Sequence, residues 1–287
     1  MSKILVTGGA GFVGTHLVSK LISLGHEVIV VDNYSSGKES NHIKSAVYIN
    51  NHTSNIDFNT KYDVVFHLGE YSRIATSFDD IAEVWKSNSE GSFNILELCR
   101  KYGTKIVYAG SSTRFAEEGV SHSPYAFTKA KTAELIKNYS DWYGLNYAIC
   151  YFYNVFGPGY DSSPIPGYES VISVFEKQFK NGEPLTICGD GFQRRSFTYV
   201  DDIVNGLIKA WEYDKNIEVQ LNNPKEFSIL EIAKMFTDNI IHIPARLGDR
   251  STSITTNNNA REKLGWNSTM GIAEWIKNIK QRYERKQ

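Results

Sequence analysis

The sequence is poor in several things that would announce a special class of protein. It has only three cysteines, Cys99, Cys150 and Cys188, widely separated, with no CxxC pair and no histidine at metal-ligand spacing. A disulfide framework and a zinc site are therefore not expected, and the cysteines read as ordinary residues of a reducing compartment. Charge of one sign is lacking too: 31 Lys and Arg against 32 Asp and Glu leave no broad field for nucleic acid or an anionic membrane surface. No stretch approaches the 18 consecutive apolar residues of a membrane span. Met1 runs almost directly into a strand-like segment, without the basic and apolar regions of a secretory leader, so the cytoplasm is the expected location.

What is present is enough for a large core: 287 residues, 41% hydrophobic and 22% charged. Short apolar runs, KILVT (3–7), EVIVVD (27–32), DVVFHL (63–68), KIVYAG (105–110) and NYAICYF (146–152), read as strands buried on both faces. Segments with helical spacing separate them, with Leu17, Leu21 and Leu24 in the first, then 79–102, then a helix from Pro124. That alternation predicts an α/β fold of Rossmann type, a doubly wound parallel sheet over residues 1–155. Segments 33–45 and 157–167 read as long loops. Beyond 156 the alternation weakens; helices at 169–181, 201–213 and 270–284 and a loop at 188–195 suggest a smaller, interleaved C-terminal lobe. FTYVDDIVNGLIKAW (197–211) looks like a strand–helix unit returning to the large sheet, with 197–215 belonging to it.

TGGAGFVG (7–14) lies between a strand and a helix. Gly8 allows the tight turn, Gly11 lets backbone approach a pyrophosphate, Gly14 permits close helix–strand packing, and the helix N-terminus faces the anion. Three glycines alone could mark a plain turn, but Asp32 ends the next strand at the distance expected of a ribose-binding acid. A carboxylate there accepts from both ribose hydroxyls and repels a 2′-phosphate, and Asn33 and Tyr34 offer no cation, so NAD is favoured over NADP.

SPYAFTKAK (123–131) places Tyr125 and Lys129 one helical turn apart. A phenol ionises near pH ~10 in water; a neighbouring ammonium and a cationic nicotinamide both favour the phenolate and fit it for proton transfer near neutrality. Such pairs are usually surface stripes. This one follows a strand ending AGSS (109–112), which puts Ser111 or Ser112 at the carboxyl end of a parallel strand, where α/β sheets bind ligands.

Taken together, TGGAGFVG, Asp32, SST (111–113), YAFTK (125–129) and YNVFGPG (153–159) resemble the extended short-chain dehydrogenase/reductase family, and within it the sugar-nucleotide epimerases and dehydratases. The likeness covers nearly the whole chain and includes GDGFQRRSFTYVDDI (189–203) and ARLGDR (245–250). It implies Tyr125 as general base, Lys129 as its tuning partner and Ser111, rather than Ser112, as the hydroxyl that bonds substrate. It implies NAD contacts from Phe12, Val13, Asn33, Ser36, Leu68, Asn88 and Tyr153 besides the glycines, Asp32, Tyr125 and Lys129. It further implies that Asn154, Arg195 and Arg246 hold a nucleotide-diphosphate sugar, the placed cations that a neutral protein needs for an anionic substrate, although either arginine could instead be a plain surface charge. A homodimer through helices 79–102 and 124–143 would follow.

The chain departs from that family in places. Tyr151 stands where an arginine is usual, and His52-Thr53 where an acidic residue and isoleucine lie near adenine. GEYSRIATSF (69–78) replaces a small-residue loop and brings Glu70, Tyr71 and Arg73 close to the nicotinamide or sugar, unless Glu70 and Arg73 simply pair with each other. Related dehydratases carry Asp-Glu where this chain has Ser112-Thr113, and decarboxylases a Glu at the Thr113 place; neither residue here can supply carboxylate chemistry. Epimerisation at C4 through a 4-keto sugar is the remaining expectation, with a 4,6-dehydratase or 4-ketoreductase using another acid as the alternative, and a non-catalytic NAD-sensing regulator as a remote one.

Overall fold

The computed structural model describes residues 1–57, 59–115, 119–159, 169–246, 248 and 259–285. Its centre is a seven-stranded sheet. In chain order the first five of its strands are β1 (Lys3–Thr7), β2 (Glu27–Asp32), β3 (Val47–Asn50), β4 (Val64–His67) and β5 (Lys105–Ser111), followed by β6 (Tyr147–Phe152). The spatial order places β1 between β4 and β2, β3 on one edge, and a late strand on the other edge beside β6. Every pairing in this sheet is parallel, as expected of strands apolar on both faces.

The side-chain period of two sorts each strand into two cores. Ile4, Val6, Val28, Val30, Val64 and Phe66 face α1 (Phe12–Ser23). Leu5, Ile29, Val31, Val65, Ile106 and Tyr108 pack on the opposite side. There the chain runs from α2 (Ile81–Trp85) through a π-helical turn, Lys86–Gly91, into α3 (Ser92–Tyr102), beside α4 (Pro124–Tyr143). Helix α4 starts where the sequence predicts: Pro124 occupies the first turn, and the Ser123 hydroxyl caps it by accepting from the Ala126 N–H at 3.1 Å.

The second lobe begins with β7 (Asn154–Phe156), α5 (Val171–Lys180), β8 (Leu185–Cys188) and β9 (Arg194–Tyr199). Residues 197–211 do not return to the large sheet as one strand–helix unit. β9 joins a three-stranded sheet with β7 and β11 (Glu226–Ser228), not the large sheet. The helix after it, α6 (Val200–Glu212), does cover the large sheet, through Ile203, Val204 and Leu207. The seventh strand of that sheet is β10 (Ile217–Leu221), parallel to β6. A strand followed by a helix looks the same in sequence whichever sheet the strand joins, because the pairing partner is distant. The remaining elements are α7 (Ile229–Phe236), β12 (Ile240–Ile243), α8 (Asn259–Leu264) and α9 (Ile272–Glu284); α5, α7 and α9 enclose a third core around Phe175, Phe236 and Trp275. Of the loop expected at 157–167, positions 160–167 lie outside the described residues. No helix among the described residues is long and apolar enough to cross a membrane.

Candidate active site

The carboxyl ends of β1, β2, β4, β5 and β6 open into one large cavity that also reaches β9 and α5. At one end lies the glycine loop. Gly8 has a φ of +71°, and a Cβ on it would stand 2.8 Å from Gly69 backbone. At Gly14 a Cβ would fall 2.1 Å from the Gly8 carbonyl oxygen, so the first turn of α1 packs on the loop only without a side chain there. Gly11, Phe12, Val13 and Leu68 complete this wall.

Asp32, at the end of β2, is buried and fixes the loop: one carboxylate oxygen accepts from the Ala10 N–H at 2.9 Å, the other from the Tyr34 N–H at 2.8 Å. Burial pushes its carboxyl upward, with the two backbone donors pulling the other way. A carboxylate has about four acceptor positions, so capacity remains toward the cavity, where Asn33 and Ser36 flank it. His52 and Thr53 also face the cavity. Thr53 Oγ1 is buried without a hydrogen-bond partner, and Gly91 lies so near that a Cβ there would come within 2.1 Å of it. A glycine cradle, a half-used carboxylate and an unsatisfied hydroxyl in one groove fit an adenine dinucleotide. Among the described residues, no group of three or more His, Cys, Asp or Glu could hold a metal.

The middle of the cavity holds Ser111, Tyr125 and Lys129 together. Ser111 Oγ accepts from the Thr113 hydroxyl at 2.9 Å and keeps its own proton to donate. Lys129 is buried, and its ammonium donates to the Ala109 carbonyl and to Glu70 while lying 4.4 Å over the Tyr108 ring. The partner of Glu70 is thus Lys129 on α4, where the sequence also allowed Arg73, three residues along. The Glu70 side chain is 2% exposed and further accepts from the Ser92 hydroxyl at 2.6 Å and the Tyr108 hydroxyl at 2.7 Å. Burial, and then the Glu70 charge, hold the Tyr108 phenol well above its usual range, so it stays a donor.

Behind Ser92 stands His67, fully buried; burial pushes it down to about 4, and the ring is uncharged at neutral pH. Ser92 gives its proton to Glu70, so it accepts from His67 Nε2–H at 2.9 Å. That leaves His67 Nδ1 to accept from the Thr7 hydroxyl, 2.7 Å away. A chain of donors therefore leads from β1 to the Glu70 carboxylate. A histidine inside the apolar run DVVFHL was its one visible sign in the sequence.

The other end of the cavity is lined by Tyr153 and Asn154 after β6, Arg195 on β9 and Arg246. Arg195 is 7% exposed and donates to the Arg194 carbonyl at 2.7 Å, which removes the plain surface-charge reading for it. Arg246 is exposed at the rim. Tyr153 donates to Gln220 at 3.1 Å, and Tyr151, in the place of the usual arginine, donates to Glu218 at 2.6 Å.

One expected contact is not brought to the cavity. Asn88 is fully buried, and its amide is committed to the Tyr71 backbone, at 2.7 and 3.2 Å, and to Thr128 at 3.1 Å. It anchors the loop that carries Glu70 rather than facing a cofactor. Tyr71 likewise packs inward, its hydroxyl 2.7 Å from Asp80, whereas Arg73 does face the cavity.

Known proteins resemble this chain in sequence and in fold. A putative UDP-glucose 4-epimerase of Methanocaldococcus jannaschii is 33% identical, over 96% of this chain and 96% of its own. A UDP-N-acetyl-alpha-D-glucosaminuronate decarboxylase of Bacillus cytotoxicus is 31% identical, over 84% of this chain and 83% of its own. The crystal structure of a UDP-glucose 4-epimerase with UDP-glucose from Thermotoga maritima superposes with a TM-score of 0.90 at 32% identity, covering 99% of both chains. The sequence pattern of the NAD dependent epimerase/dehydratase family matches residues 4–229. With the parallel sheet, the glycine cradle and the tyrosine–lysine pair in place, the chain is a member of the NAD-dependent epimerase/dehydratase family.

Proposed function

We propose that the protein interconverts UDP-sugars epimeric at C4. One observation carries the choice among the family's reactions: the two residues after Ser111 are Ser112 and Thr113, both buried and neither a carboxylate, while the nearby carboxylate of Glu70 is engaged by three donors. Elimination of water, or a decarboxylation assisted by a glutamate at the Thr113 place, lacks its acid and base.

The nicotinamide of bound NAD supplies reversible hydride acceptance. Tyr125 takes the proton of the sugar 4-hydroxyl and returns it after the 4-keto sugar has turned over. Ser111 donates to the same oxygen and stabilises charge that develops on it. Gly8, Gly11 and Gly14 cradle the dinucleotide pyrophosphate, with Phe12 and Val13 at the start of α1. Asp32, Asn33 and Ser36 hold the adenosine ribose, and Leu68, Tyr153 and Lys129 border the nicotinamide end. Asn154, Arg195 and Arg246 hold the UDP diphosphate. The exposed apolar residues Ile81, Trp85, Phe93 and Trp142, on α2, α3 and α4, suit burial against a second copy, so a homodimer is part of this reading; sedimentation at micromolar concentration tests it.

Incubation with UDP-, dTDP-, GDP- and CDP-sugars, with products resolved by NMR, tests the whole. The reading expects C4 epimers from a UDP-sugar; a 6-deoxy-4-keto product, or release of carbon dioxide from a uronic acid, overturns it.

A further inference from the structure

We propose that Glu70 is a positioning residue that offsets the charge of Lys129 and so sets the pH at which Tyr125 takes up a proton. This rests on the assignment of Tyr125 as the base. The pair is built for the role. Lys129 lies one turn from Tyr125 on α4, and its ammonium is clamped between the Glu70 carboxylate and the Ala109 carbonyl. Two of its three N–H donors are thereby fixed by protein groups, which leaves one for a ligand. Both members are almost fully buried, with 8% of the lysine side chain and 2% of the glutamate side chain exposed, so solvent screens neither.

An isolated ammonium one turn away would stabilise a phenolate strongly. An ammonium paired with a carboxylate is a dipole, and its effect on a third group falls off faster with distance. Among the described residues, the other titratable groups facing this cluster are His67 on β4 and Tyr108 on β5, with Arg73 on the same cavity wall as Glu70. The ring of His67 is uncharged at neutral pH, and the phenol of Tyr108 is a donor to Glu70. Neither compensates the carboxylate. Activation of Tyr125 is therefore left mainly to a positive charge arriving in the cavity, as with oxidised nicotinamide, rather than to a permanent lysine charge.

The decisive substitution keeps the hydrogen bonds of the cluster and removes its negative charge. In Glu70→Gln an amide oxygen at the Oε2 place still accepts from Lys129 and Tyr108, and the Ser92 hydroxyl can turn to accept from the amide NH2. The test is a pH titration of tyrosinate absorbance on the NAD⁺-saturated protein, with Tyr125→Phe subtracted to isolate the one tyrosine; no sugar is needed. In Glu70→Gln the Tyr125 signal should appear about one pH unit lower than in the unaltered protein, while Glu70→Asp, which keeps the charge, should follow the unaltered protein. A Glu70→Gln titration that coincides with the unaltered one, or lies above it, overturns the proposal.

The double variant Glu70→Gln/Lys129→Met gives a second arm if the single variant does not fold. It is as neutral as the native pair, so its titration should lie within about half a unit of the unaltered protein. A shift upward by a unit or more would show that Lys129 dominates and Glu70 offsets nothing. Absence of any Tyr125-dependent signal would sink the base assignment itself, a different result from a signal that fails to move with Glu70. The acidic limb of kcat, measured once a sugar substrate is in hand, should move with the same sign.

Discussion

Replacing Lys129 by methionine should destabilise the protein far more than losing one surface charge would. Among the described residues the ammonium is the one cationic partner of Glu70, whose side chain is 2% exposed. Methionine keeps the length and apolar stem, so the main change is electrostatic: among the described residues, a carboxylate whose side chain is 2% exposed keeps the Ser92 and Tyr108 hydroxyls as its donors. Breaking a buried pair from one side costs about 3–5 kcal/mol. For a chain of this size that corresponds to a fall in Tm of ~5–8 °C. Removing both charges, in Glu70→Gln/Lys129→Met, should restore most of the loss, because what destabilises is the uncompensated charge and not the missing contact. Urea unfolding of the two single variants, the double variant and the parent closes the cycle. A Lys129→Met loss below ~1 kcal/mol, or a double variant no more stable than Lys129→Met, would show that an uncompensated Glu70 charge is not what destabilises the variant.

Three further outcomes follow from the site. Tyr125→Phe should lower turnover at least ~100-fold, the scale of general acid–base catalysis, with NAD affinity nearly unchanged in a binding titration; comparable turnover would remove the tyrosine from the mechanism. Arg195→Ala should weaken UDP roughly 10- to 100-fold, the worth of a hydrogen bond to a charged group, and leave NAD binding alone; unchanged UDP affinity in calorimetry would make Arg195 a structural residue. His67 is held down at about 4 by burial, against ~6.5 in the unfolded chain. Between those values the unfolded state binds the extra proton, so stability present at pH 7 is lost as pH falls from ~6.5 toward 4, by at most ~1.4 kcal/mol per unit from this group. His67→Gln should flatten that part of the melting-temperature profile, and an unaltered slope would contradict it.

The large sheet was legible because its inner strands are apolar on both faces, and β1, β2, β4, β5 and β6 all lie where the runs of Val, Ile and Leu do. β3 escaped notice: it is a four-residue edge strand with Val47 and Ile49 more than 40% exposed, so no burial pattern marks it. β10 escaped because its glutamate and glutamine interrupt the apolar run, and Gln220 is buried against Tyr153 rather than exposed. The glycine loop, Asp32, Ser111, Tyr125 and Lys129 could be read because each sits at a fixed offset from a strand end. The network around Glu70 could not. It joins Thr7, His67, Ser92, Tyr108 and Lys129 from five elements, and side-chain hydrogen bonds between distant segments leave no periodic trace. Asn88 was misplaced for the same reason: an asparagine near the site can face the ligand or tie down the loop beneath it, and only its partners decide.

The central claim, that hydride leaves and returns at C4 without elimination or decarboxylation, is tested most directly with a UDP-hexose deuterated at C4. It is incubated with the NAD-loaded protein without added NADH, and the product is read by NMR. Inversion at C4 is expected, with the deuterium retained on that carbon and no solvent hydrogen at C5. Solvent hydrogen at C5, deuterium carried to C6, or a 6-deoxy-4-keto product would contradict it.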